Sequence, residues 1–119
     1  MKRFFILCLI ICICMINLSS CALFRKPLDN WANFSDYLKE TEEYIRQEKW
    51  PEALDSLEKA HEAWLKIKPI MQIDIDHDYV NDIEKDFTVL KGYIESKEKA
   101  DSLATILLLQ KSWKNIGEM

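Results

Sequence analysis

The chain's two histidines and its cysteine at position 21 carry most of its reactive chemistry. Asp76-His77-Asp78 sets an imidazole between two carboxylates, a group able to share a proton or to bind a divalent metal. If the helix that follows is extended back to residue 76, Asp76 shares a side with Val80, Ile83 and Phe87, and His77 lies at its edge. His61 falls between Leu57 and Trp64 and points inward by the same periodicity. Asp76, His77 and His61 are therefore a candidate ligand or metal site, provided that their two helices are antiparallel neighbours. The competing reading gives Asp76 to a helix cap and His77 to a structural hydrogen bond. It is favoured because buried polar groups mostly serve structure.

Other patterns are weaker. Asp74, Asp78, Asp82 and Asp86 repeat every four residues and form one acidic column, without the glycine and loop of a calcium-binding hand. A solvated face is the simpler account. His61-Glu62 begins like a zinc-protease helix, but Leu65 stands where the second histidine belongs. No serine or cysteine nucleophile has a recognisable setting, and with two glycines no phosphate-cradling loop is available. Among 20 acidic residues some pairs meet by chance, so a hydrolase built on a carboxylate pair is the least supported reading. The expectation is a protein that is not an enzyme and has no cofactor.

Cys21 follows a different logic. Met1-Lys2-Arg3 precedes an apolar run from Phe4 to Ile16, then Leu18-Ser19-Ser20-Cys21. As a helix that run spans about 20 Å, short of a hydrocarbon core of about 30 Å. A basic start, a short apolar run and small residues before a cut site describe a secretory signal. Leu-Ser-Ser-Cys resembles the lipobox of bacterial lipoproteins, and the resemblance implies that Cys21 takes a diacylglycerol thioether and becomes the new N-terminus. The expected division is a signal peptide over 1–20, a lipidated cysteine and tether over 21–28, and a helical domain over 29–119. The expected location is the outer face of the cytoplasmic membrane. The competing reading is an uncleaved signal anchor with Cys21 as an ordinary thiol.

Composition supports this division. Loss of residues 1–20 takes the formal net charge from −4 to −6. Such acidity disfavours nucleic acid, whose phosphates call for clustered Lys and Arg. It also disfavours electrostatic docking on anionic lipid, so attachment falls to acyl chains. Cys8, Cys12 and Cys14 leave with the signal, so the remaining chain forms no internal disulfide and must stand on its packed core.

The elements that position these residues read as helices throughout, because Gly and Pro are scarce. The first is expected from Asn30 to about Glu48, capped by Asp29 or Asn30, with Trp31, Phe34, Leu38, Thr41 and Ile45 on one face. After a turn at Lys49-Trp50, Pro51 opens the second helix, whose stripe is Leu54, Leu57, Ala60, His61, Trp64 and Ile67, and Pro69 ends it. The Ile73–Asp76 alternation leads into a third helix, with Asp74 or Asp76 as cap and Val80, Ile83, Phe87, Leu90 and Ile94 buried. After a turn over Ser96–Lys99, the last helix carries Leu103, Ile106, Leu109, Trp113 and Ile116 and ends at Gly117. Leu108 faces away from that stripe and, with Leu107, extends an apolar patch. Four such helices with short turns pack as an all-α, antiparallel four-helix bundle, with the tryptophans as core anchors.

Lys49-Trp50-Pro51-Glu52-Ala53-Leu54, Trp64, Ile75-Asp76-His77-Asp78, Leu90-Lys91-Gly92-Tyr93-Ile94 and Trp113 occur here in that order. This set resembles the bacterial family labelled domain of unknown function 4363. The resemblance implies a short, exported, all-helical protein of spore-forming Gram-positive bacteria with no assigned activity. It also points to an integral membrane protein as partner. Trp50, Pro51, Ala53, Leu54, Leu57 and Ala60 are similar as well to one unit of a tetratricopeptide-like hairpin, but no second copy is visible along the chain. The functional expectation is an accessory or binding module of a membrane assembly. The alternative is a metal or small-ligand sensor using the Asp/His cluster.

Overall fold

Apolar side chains at steps of three and four must be buried against one another, and here they meet in a single core. The computed structural model describes residues 1–17, 28–73 and 77–116. Its helices are α1 (Lys2–Asn17), α2 (Phe34–Arg46), α3 (Trp50–Met71), α4 (His77–Glu95) and α5 (Lys99–Ile116), with a helical turn over 28–32 ahead of α2. No strand occurs among the described residues. Helices α2 to α5 form a closed ring in which α2 packs on α3 and α5, and α4 packs on α3 and α5. Neighbours run antiparallel: Thr41 meets Ser56 while Phe34 meets Trp64, and Gln110 meets Leu38 while Trp113 meets Ser35. The expected antiparallel four-helix bundle is therefore present.

The core stripes of α4 and α5 match the sequence reading, except that Leu103 is only half-buried. Two boundaries differ. The first helix is broken at Asn33, whose φ of 58° is left-handed, a conformation that Asn tolerates better than most residues. Asp29 caps α2 across this break: its carboxylate accepts the Ser35 N–H at 2.7 Å and the Ser35 hydroxyl. The break takes Trp31 off the buried face, so Trp31 is exposed rather than a core anchor. At the other boundary Pro69 lies inside α3 and does not end it. A proline in the last turn removes one helical hydrogen bond, and the burial of Met71 holds that turn in place.

Both short turns end their helices in the same way. Lys49 N–H donates to Tyr44 C=O and Glu48 N–H to Ile45 C=O, while Glu98 N–H donates to Tyr93 C=O and Lys97 N–H to Ile94 C=O. Each is a Schellman motif, with Glu48 (φ 55°) and Lys97 (φ 57°) in the left-handed position that glycine commonly fills.

The identical turns expose a repeat that the sequence reading missed. A shift of 49 positions carries α2–α3 onto α4–α5. It aligns Phe34 with Ile83, Leu38 with Phe87, Thr41 with Leu90, Ile45 with Ile94, Ser56 with Thr105, Leu57 with Ile106, Trp64 with Trp113 and Ile67 with Ile116. Every member of these pairs is buried. The bundle is thus two copies of one helical hairpin. The copies escaped notice because burial constrains apolar size rather than identity, and the solvent-facing residues have diverged.

Phe34 sits where the copies meet. Its ring centroid lies 4.9 Å from that of Trp113, 5.9 Å from that of Trp64 and 6.1 Å from that of Phe87. One ring from each helix therefore closes the core. Full burial of side chains of this size contributes about 1.5–3 kcal/mol each.

Candidate functional site

His61 does not face the core. It is exposed on α3, and its ring packs against Phe87 of α4 with centroids 5.0 Å apart. The buried stripe of α3 is centred instead on Ala53, Ser56, Leu57, Ala60, Ala63, Trp64 and Ile67, and this places His61 at the α3–α4 seam. Phe87 lies ten residues past His77 on α4, about 15 Å along the helix axis. His77 is exposed as the first residue of α4, so the structure does not bring His61 and His77 together. Asp76 and Cys21 lie outside the described residues, as does the proposed cap at Asp74. Among the described residues no three His, Cys, Asp or Glu side chains are grouped as metal ligands.

What the structure does build at His61 is a groove of about 330 Å³ between α3 and α4. Leu54, Leu57 and Phe87 supply its apolar lining, and Glu58, Glu62 and Lys91 supply charge. The Thr88 hydroxyl, which also borders it, already donates to Glu84 C=O at 3.2 Å. Below the groove Lys68 pairs with Glu84 and ties α3 to α4. Polar and charged side chains outnumber the apolar ones along it, so a groove of this size suits a small ligand with a charged head and a short apolar body. Periodicity had pointed to His61 alone. Lys91, Glu58 and Glu62 were missed because only the packing of α4 on α3 brings them to one opening.

A second groove of about 310 Å³ lies between α5 and α2, where Leu38 and Gln110 take the places that Phe87 and His61 hold in the first. Gln110 is committed: its side-chain amide donates to Leu38 C=O at 3.4 Å. Under the hairpin repeat the two grooves share three lining positions, Leu38, Lys39 and Gln110 matching Phe87, Thr88 and His61, and only the first carries an imidazole.

The acidic column is partly as expected. Asp78 and Asp82 are exposed, while Asp86 is half-buried. Burial, followed by the nearby Asp82, pushes the Asp86 carboxyl above its ordinary value. Leu107 and Leu108 are exposed on α5.

The chain matches no curated protein and no solved structure. Residues 27–119 match the family described as "Domain of unknown function (DUF4363)", a stretch that takes in all four helices of the bundle and both grooves. The chain therefore belongs to the DUF4363 family.

Proposed function

We propose that this protein is a membrane-anchored, extracytoplasmic lipoprotein whose bundle acts as a non-enzymatic binding module of a membrane assembly. The observation that carries the proposal is the separation between leader and core. The side chains of residues 1–11 are exposed, and none of them joins the buried core. A leader that is cleaved away has to stand apart from the bundle in this way. No helix of the described residues is long and apolar enough to cross a membrane. The attachment in this proposal is a lipid on Cys21, which the Leu18-Ser19-Ser20-Cys21 pattern supports. Two acyl chains suffice for stable anchoring.

Intact-mass spectrometry of the native product tests this. The expected species begins at Cys21 and carries a diacylglycerol thioether, and Cys21→Ser should release the protein from the membrane fraction. A product that still starts at Met1, or a bare thiol at position 21, overturns the proposal. Extraction in mild detergent should also recover an integral membrane protein bound to the bundle.

A second reading, a sensor of a small ligand, is favoured by the His61 groove. Its sharpest test is the His61 imidazole resonance of the full chain, titrated with zinc, manganese and calcium and then with alkylamines. A resonance unmoved by every one of these removes the reading.

A further inference from the structure

We infer that the end of the bundle where the chain enters at Leu28 rests on the lipid bilayer, with Trp31 and Ile73 set among the headgroups. This rests on the membrane-anchored reading above and specifies which surface faces the membrane. At that end α2 and α4 begin and α3 and α5 finish, as the contacts of Phe34 with Trp64 and of Ser35 with Trp113 require. Two separate segments bring large apolar side chains there without covering them. Trp31 is 62% exposed, and Ile70 and Ile73 at the far end of α3 are 42% and 83% exposed. The opposite end presents Glu48, Lys49, Lys97 and Glu98 to solvent instead.

Chain length selects the occupant. Residues 22–27 separate Cys21 from Leu28, and a fully extended stretch of that length reaches at most about 25 Å. A lipid on Cys21 therefore holds this end, and not the charged one, close to the bilayer. Trp suits the interface because its ring is apolar while its N–H remains wet. Charges of both signs lie at this end, Asp29, Asp36 and Asp78 beside Lys66, Lys68 and Lys114, so the contact is assigned to its exposed apolar side chains, and it should form on a neutral surface and resist salt.

The test uses the full protein, extracted with its anchor and reconstituted into phosphatidylcholine vesicles brominated near the headgroups. Trp64 and Trp113 are buried, and Trp50 lies at the charged end, so quenching by bromine reports Trp31. Flotation with the vesicles and strong quenching are expected, with most of the quenching lost in Trp31→Phe, weakened in Ile73→Asp and unchanged by added salt. Flotation with equal quenching in wild type and Trp31→Phe overturns the docking while leaving the anchor intact. Failure to float overturns both.

Discussion

Trp113 in the last helix donates its indole N–H to the Ser35 hydroxyl in the first helix of the bundle, at 3.1 Å. Ser35 in turn donates its hydroxyl hydrogen bond to Asp29, so one hydroxyl joins the α2 cap to the α5 wall and closes the ring of helices. The equivalent tryptophan of the other hairpin has no such partner. Trp64 Nε1 is buried without a hydrogen bond, and Glu84, at the position matching Ser35, is held by Lys68. Ser35→Ala should leave Trp113 in the same condition and also weaken the cap. The expected cost is about 1–3 kcal/mol, read as a lower urea midpoint with an unchanged slope. An unaltered midpoint would show that the linkage contributes nothing.

The left-handed residues at the two turns offer the opposite effect. Lys97 holds φ 57° with a β-carbon, which costs about 1–2 kcal/mol, whereas glycine adopts it freely at an entropic cost of about 0.5–1 kcal/mol. Lys97→Gly should therefore stabilise by up to about 1 kcal/mol. Glu48→Gly should gain slightly less, because it also removes the 3.9 Å contact with Lys99, an exposed pair of small worth. Thermal unfolding of each variant decides the matter, and a lower midpoint for Lys97→Gly would contradict the turn geometry.

Most of the bundle could be read from periodicity because burial imposes it directly. Phe34, Leu38, Ile45, Val80, Ile83, Leu90 and Ile94 are all buried as their spacing required. What failed had no periodic signal. The break at Asn33 depends on one residue's backbone, the Schellman turns lack their usual glycine, and Pro69 is overruled by the burial of Met71. His61 was misplaced because it borders the stripe, and a shift of one position along the helix turns a side chain by about 100°. The groove beside it needs two helices, so no single stripe could reveal it. The repeat was present in the sequence, in Tyr44-Ile45 and Tyr93-Ile94, then Leu54 and Leu103, then Trp64 and Trp113. It became evident only once identical hydrogen bonds fixed the register.

Gly92 stands in the last turn of α4, on its exposed side, and a β-carbon built there meets nothing within 4 Å. Its φ is not positive, so neither packing nor backbone conformation requires glycine. Gly92→Ala should stabilise the protein by about 0.5–1 kcal/mol through helix propensity. If the unfolding midpoint falls instead, this face of α4 is covered by something in the folded protein, and a membrane partner becomes the first suspect.

Asp86 makes stability depend on pH with a definite sign. Burial first and Asp82 second raise its carboxyl above the ordinary 3.8. The folded protein thus keeps this proton to a higher pH than the unfolded chain does, and stability drains away as pH rises between the two values. Below the ordinary value both states are protonated and the residue is neutral in effect. Above the raised value the folded state carries a poorly solvated charge. Asp86→Asn mimics the protonated form at every pH. Its stability should equal that of the wild type in acid and exceed it at neutral pH, with the difference growing across the carboxylate range. Urea midpoints of both proteins at a series of pH values measure this difference. A difference that stays constant with pH would mean that Asp86 acts through packing and not through its charge.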